Sequence, residues 1–202
     1  VQTCALPIYL KTNKLAFSGI ALALCIIFMV LGSVIESNTL ALLALASFSV
    51  GIITCEFGVR YGVAYLAAAI ILGFLIAPNK FYCLTFATMG LYILLDEVLW
   101  LILNRIKMKQ QRINLQTSDL HQKAVKWSVL MWIAKWLIFN AMYVPIILIF
   151  PAFLFTGKLA QYHTAKGIML VLLLGQIVWL IYDRVYDYFQ HVIWNKYRKI
   201  LK

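Results

Sequence analysis

The chain has 202 residues, of which 64% are hydrophobic and only 12% charged, and its mean hydropathy is +0.89. A soluble domain carries about 25% charged residues, so the composition excludes a water-soluble globule as well as the disordered, collagen-like and disulfide-scaffold classes. The net charge of +11 would suggest nucleic acid in a soluble protein. Here the basic residues lie between and after apolar runs, without RNA-binding or zinc-finger spacing, so they read as topology signals and contacts to anionic lipid.

The chain opens on Val-Gln-Thr-Cys-Ala-Leu-Pro-Ile, the translation of GTTCAGACGTGTGCTCTTCCGATC, a string resembling a sequencing-library adapter. Residues 1–9 are therefore expected to be a non-native leader and are left out of the fold reasoning. Residues 10–202 then form a single transmembrane domain. Lys11 and Lys14 precede the first apolar run, Leu15 to Val34, which is long enough to span a bilayer and is followed by further spans, unlike a cleaved signal.

A polar turn, Glu36 to Thr39, leads to a second span at about 40–55. Glu56, Gly58, Arg60 and Gly62 make a tight connection to a third at about 63–77. Pro78 and Asn79 end it, because proline cannot donate to a helix ladder. The fourth span covers about 81–103. A polar stretch follows, with Arg105, Lys107, Lys109, Arg112, Lys123 and Lys126 against one acid, Asp119. Thr117, Ser118 and Asp119 are good N-caps, so a new helix is expected there. It leads as an amphipathic cytoplasmic extension into a fifth span at about 136–155. The sixth covers about 167–186, and a basic amphipathic tail ends the chain.

These runs predict an all-α integral membrane bundle of about six transmembrane helices, since a helix satisfies its own backbone hydrogen bonds in lipid. With the N-terminus inside, the inner segments hold Lys11, Lys14, Arg60, the loop cluster, Lys196, Arg198, Lys199 and Lys202. The outer turns hold only Lys80, Lys158 and Lys166. The positive-inside rule therefore places both ends in the cytoplasm. Small residues recur four apart at Gly19/Ala23, Ala21/Cys25, Ser47/Gly51, Ala64/Ala68 and Ala69/Gly73. That spacing permits close helix approach in lipid, although alanine is common in any membrane helix.

Five charges fall near the inner boundary: Asp96 and Glu97 in the fourth span, Lys135 before the fifth, and Asp183 and Arg184 late in the sixth. Two readings stand. In one, Lys135 pairs with Asp96 or Glu97, and Arg184 pairs with Asp187 or another acid, to offset the cost of charge in lipid. In the other, each side chain snorkels separately to water. On the outer half, Asn38, Asn79, Lys80, Tyr82, Lys158, Gln161, Tyr162 and His163, with Gln176 at mid-membrane, either build an outward-facing solute site or are ordinary polar loops plus a glutamine bonding between helices.

No H-E-x-x-H, G-x-S-x-G or Walker A sequence occurs, and adjacent Asp96 and Glu97 point about 100° apart on a helix, so no enzyme, catalytic residue or cofactor is expected. The cysteines lack metal-ligand spacing and read as small buried hydrophobes; no metal is expected.

The stretch Lys11-Thr12-Asn13-Lys14-Leu15-Ala16-Phe17-Ser18-Gly19-Ile20-Ala21-Leu22-Ala23-Leu24, and the segment Glu56-Phe57-Gly58-Val59-Arg60-Tyr61-Gly62 after the second helix, resemble the S components of energy-coupling factor transporters. They are also similar to a family of small bacterial six-helix membrane proteins of unknown role. The S-component resemblance covers the first hundred residues best. It implies a substrate-binding membrane subunit in the bacterial cytoplasmic membrane. Such a subunit takes a small vitamin-like solute from outside and is energised by separate ATPases through a transmembrane coupling subunit. It also implies that Ala16, Gly19, Ala21 and Ala23 dock that subunit. Ile20 breaks the family's alanine pattern, and the extension before the fifth helix departs from it. The alternative is a membrane scaffold that recruits a partner or anionic lipid through its basic loop and tail.

Overall fold

The structure, a computed structural model, describes residues 5–35, 38–77, 80–113, 120–149, 165–194 and 196. Among these residues every element is helical: α1 (Ala5–Val34), α2 (Thr39–Phe57), α3 (Val59–Ile76), α4 (Lys80–Ile113), α5 (Leu120–Ile149) and α6 (Ala165–Tyr188), the last running into a π-helical turn, Phe189–Trp194. Five are long and apolar enough to cross a membrane, over Lys14–Val34, Thr39–Phe57, Val59–Ile76, Lys80–Ile106 and Met169–Tyr188. The described apolar part of α5 is shorter, Val129–Pro145; the expected end of the fifth span, 150–155, lies outside the described residues. Contacts gather the chain into two compact units, Val1–Ile106 and Lys107–Lys202.

In the first unit α1 to α4 share one core. α1 contributes Cys25 and Met29, and α2 contributes Leu43, Ala46, Val50 and Ile53. Tyr65, Leu66 and Ala69 come from α3, and Cys83, Phe86 and Leu94 from α4. The α2 positions recur at helical spacing, so one face packs while Leu40 and Leu45 on the other stay exposed. Water is not the driving solvent in such an interior, and close van der Waals packing carries the association. Hence the small residues: Ser47, Gly51, Ala69 and Gly73 are all buried. Two of the predicted small-residue pairs therefore lie in helix interfaces.

The turns are tied by local bonds. Thr39 Oγ1 donates to the carbonyls of Gly32 at 2.9 Å and Ile35 at 3.3 Å, closing the α1–α2 turn. Gly58 alone makes the α2–α3 turn: its φ of +96° suits glycine, and its N–H donates to Thr54 O at 2.9 Å. The third helix therefore starts at Val59, earlier than the sequence suggested. Gly62, expected in the connection, is helical and buried, and a Cβ there would run into the Thr54 side chain. That glycine serves close packing of α3 on α2, not the turn. The helix then has 18 residues, about 27 Å at 1.5 Å per residue, near the ~30 Å hydrocarbon thickness. α4 also outruns its predicted end and carries the first basic residues as helix. α5 begins at Leu120, directly after the expected capping residues, which lie outside the described residues. α1 starts at Ala5, so five of the suspected leader residues continue its helix.

Candidate functional site

The richest polar chemistry among the described residues lies in the second unit, on the seam between α5 and α6. Trp132, Lys135, Trp136, Phe139, Asn140 and Tyr143 fall at three- and four-residue spacing, one face of α5. Val171, Gly175, Gln176, Trp179, Asp183 and Asp187 do the same on α6. The helices run antiparallel: Tyr143 meets Val171, Asn140 meets Gln176, and Lys135 meets Asp183.

At one end Tyr143 lies against Gly175, where a Cβ would run into the phenol ring, and its hydroxyl donates to Val171 O at 2.9 Å. Phe139 stacks on both Tyr143 and Trp179, with centroids 4.9 Å and 5.5 Å away. Offset aromatic pairs of this kind add to simple burial. In the middle, Gln176 Nε2 donates to Asn140 Oδ1 at 2.9 Å, and Trp136 Nε1 donates to Gln176 Oε1 at 3.0 Å. Asn140 Nδ2 also donates to Trp136 O at 2.9 Å. The Asn140 and Gln176 amides thus answer each other across the apolar seam, as lipid requires.

At the other end Lys135 Nζ donates to Asp183 Oδ1 and to Asp187 Oδ1, each at 3.1 Å. Lys135 and Asp183 are buried, whereas the Asp187 side chain is 41% exposed. The two acids are four residues apart on α6, so both reach one ammonium on the facing helix. Of the two sequence readings, this unit carries a pairing reading. The Lys135 partners found here are Asp183 and Asp187; the sequence reading had offered Asp187 to Arg184. Arg184 itself is exposed. Asp96 and Glu97 are buried within α4.

The expected outer site divides. Asn79, Lys158, Tyr162 and His163 lie outside the described residues, as does Gln161. Asn38 is exposed at the start of α2 and makes no side-chain cap. Lys80 Nζ donates to the Phe74 and Ala77 carbonyls and lies 4.9 Å from the Phe74 ring centroid, so it closes the C-terminus of α3. Carbonyls at a helix end attract a cation for this reason. Tyr82 packs against the first unit's core. Gln176 belongs to the second unit and is bonded between helices. Sequence reasoning passed over Asn140 and Trp136, its partners. Their spacing to Lys135 on one α5 face was the available signal.

On α1 the four expected docking residues separate. Ala21 turns inward onto the core, while Ala16, Gly19 and Ala23 are exposed, and nothing lies within 4 Å of a Cβ built on Gly19. Ile20, Leu24 and Ile27 continue this outward apolar face. At the same helix's N-terminal end Lys14 Nζ lies 5.8 Å from the Phe57 ring centroid and 6.0 Å from that of Tyr61. Phe17 meets Phe57 edge-to-face at 5.8 Å. This aromatic-cation group ties α1 to the α2–α3 turn. No protein-family model, curated protein or solved structure matches the chain.

Proposed function

We propose that the chain is a multi-pass subunit of the bacterial cytoplasmic membrane, with both ends in the cytoplasm, and that it binds a small vitamin-like solute for an importer energised by separate ATPases. The helices long enough to span and the basic residues gathered on one side support the topology. The observation that carries the importer reading is the outward face of α1, where Ala16, Gly19 and Ala23 are exposed among the described residues and offer small residues to a neighbouring helix. In lipid, such a face permits close approach of another transmembrane helix. The protein does no chemistry in this reading; the partners supply ATP hydrolysis.

The test is purification of the tagged chain from its native membranes in mild detergent. An ATPase pair should copurify, and Gly19→Leu with Ala23→Leu should abolish the copurification while leaving the melting temperature unchanged. A chain that copurifies with no ATPase removes the importer reading. A second reading has its own support: Lys80 caps α3 and Gln176 is occupied between helices, so two expected solute ligands are already engaged. In that reading the protein is a membrane scaffold whose basic loop and tail recruit a partner or anionic lipid. Vesicle binding that rises with anionic lipid content and vanishes on neutralising Lys196, Arg198 and Lys199 would favour it.

A further inference from the structure

We propose that the chain forms a two-fold dimer in the membrane through the α5–α6 face that carries Asn140 and Gln176, the occupant of that face being a second copy of the chain. Both side chains lie inside apolar helical segments, Val129–Pro145 and Met169–Tyr188. Each is only partly buried. Their neighbours one turn away on the same face are Trp136 and Leu137 on α5 and Leu173 and Leu180 on α6. These four are exposed, between 39% and 59%. The face is therefore an apolar rim around a polar centre.

The hydrogen bonds at that centre can be counted. A primary amide has two N–H donors and an oxygen that accepts twice. Gln176 gives one N–H to Asn140 Oδ1 at 2.9 Å. Its oxygen accepts twice, from Trp136 Nε1 at 3.0 Å and from Asn140 Nδ2 at 3.5 Å. The other N–H of Asn140 goes to Trp136 O at 2.9 Å. Among the described residues these bonds leave over one N–H of Gln176 and one lone pair of Asn140 Oδ1. In hydrocarbon such a surplus is costly, and a polar group on a neighbouring helix answers it.

The surplus is one donor and one acceptor on two bonded groups, and hence at one depth. That set is complementary to itself. A two-fold axis along the membrane normal preserves depth and makes the interface isologous. It brings Gln176 Nε2 of one copy to Asn140 of the partner subunit, and the reverse bond closes the pair. No charged residue lies within four positions of either amide, so an ionic ligand has no counterpart on this face. An apolar solute would cover the rim and leave the surplus unanswered. The face belongs to α5 and α6, whereas the importer reading rests on α1, so the two stand or fall separately.

The full chain, labelled in separate batches with a donor or an acceptor fluorophore, is reconstituted into liposomes over a range of protein-to-lipid ratios. Energy transfer should follow a monomer–dimer isotherm and be competed away by unlabelled chain. Gln176→Leu and Asn140→Leu should each weaken the dimer by roughly 8-fold, because either removes both symmetric bonds, taken at their average worth between membrane helices. A second measurement leaves the amides intact. In native membranes, with Cys4 and Cys55 replaced by serine, Leu173→Cys should give oxidatively cross-linked dimers. Val178→Cys, also exposed but about 200° round α6 from Gln176, should not. A chain that stays monomeric at every protein-to-lipid ratio overturns the proposal. Cross-linking through Val178→Cys and not through Leu173→Cys does so too, as does a dimer of unchanged strength in the Asn140→Leu/Gln176→Leu double variant. Circular dichroism in the liposomes establishes that each variant is folded.

Discussion

Replacing Lys135 with methionine removes one ammonium from between two carboxylates, and the two are not equal. Both bonds measure 3.1 Å, so geometry gives them the same attraction in the same medium. The medium differs. At an effective dielectric near 20, unit charges at that separation attract by about 5 kcal/mol, and in bulk water by about 1 kcal/mol. Side-chain exposure is 6% for Asp183 and 41% for Asp187, so Asp183 sits nearer the first limit and Asp187 nearer the second. Much of the larger attraction is offset by desolvation, so the pair adds little net stability; breaking it is what costs, about 3–5 kcal/mol, because a buried carboxylate loses its ammonium. Lys135→Met and Lys135→Ala should therefore destabilise the second unit by about that amount. Asp183→Asn should cost nearly as much, and Asp187→Asn no more than about 1 kcal/mol. The assay is reversible unfolding in mixed micelles, followed through Trp132 and Trp179, which meet across the seam with centroids 6.1 Å apart. A double-mutant cycle isolates the coupling. A coupling of Lys135 to Asp187 as large as that to Asp183, or no coupling to either, refutes the reasoning.

Three further outcomes are expected. Asn140→Ala and Gln176→Leu should couple by about 0.6 kcal/mol and by no more than about 1.7, the range for hydrogen bonds between membrane helices, measured by the same cycle. Gly62→Ala should lower stability by about 1–3 kcal/mol through overpacking against Thr54, and Thr54→Ala, which removes the facing hydroxyl, should recover part of that loss in a thermal melt. Gly19→Ala, with nothing within 4 Å of the new methyl, should leave the melting temperature of the isolated chain within error of wild type.

Much of the architecture was legible because lipid imposes a length on every span. The first four spans, the helix start near residue 120 and the sixth span all follow from runs of apolar residues and their polar punctuation. The third helix was misjudged at its start because glycine has two uses. Gly58 turns the chain and Gly62 packs it, and only the neighbour at Thr54 tells them apart. The charged group was legible in kind, since Lys135 and Asp183 were both expected to need partners; that Lys135 meets Asp183 and Asp187 is read from the structure. Asp96, Glu97, Asp183 and Asp187 are equivalent until the facing helix and its register are known. Gln176 showed the same limit: a lone glutamine at mid-membrane suits a solute as well as it suits Asn140.

Sequence by itself determined the class of this protein. Apolar run length and helix periodicity are local or additive properties, and each survives without knowledge of what touches what. Tertiary structure alone decided which atoms answer one another: Lys135 with two acids one turn apart, Gln176 with Asn140, and Lys80 with the end of α3. Hydrogen bonds and ion pairs act over about 3 Å, a distance fixed by helix rotation and register, and those come from packing summed over whole faces.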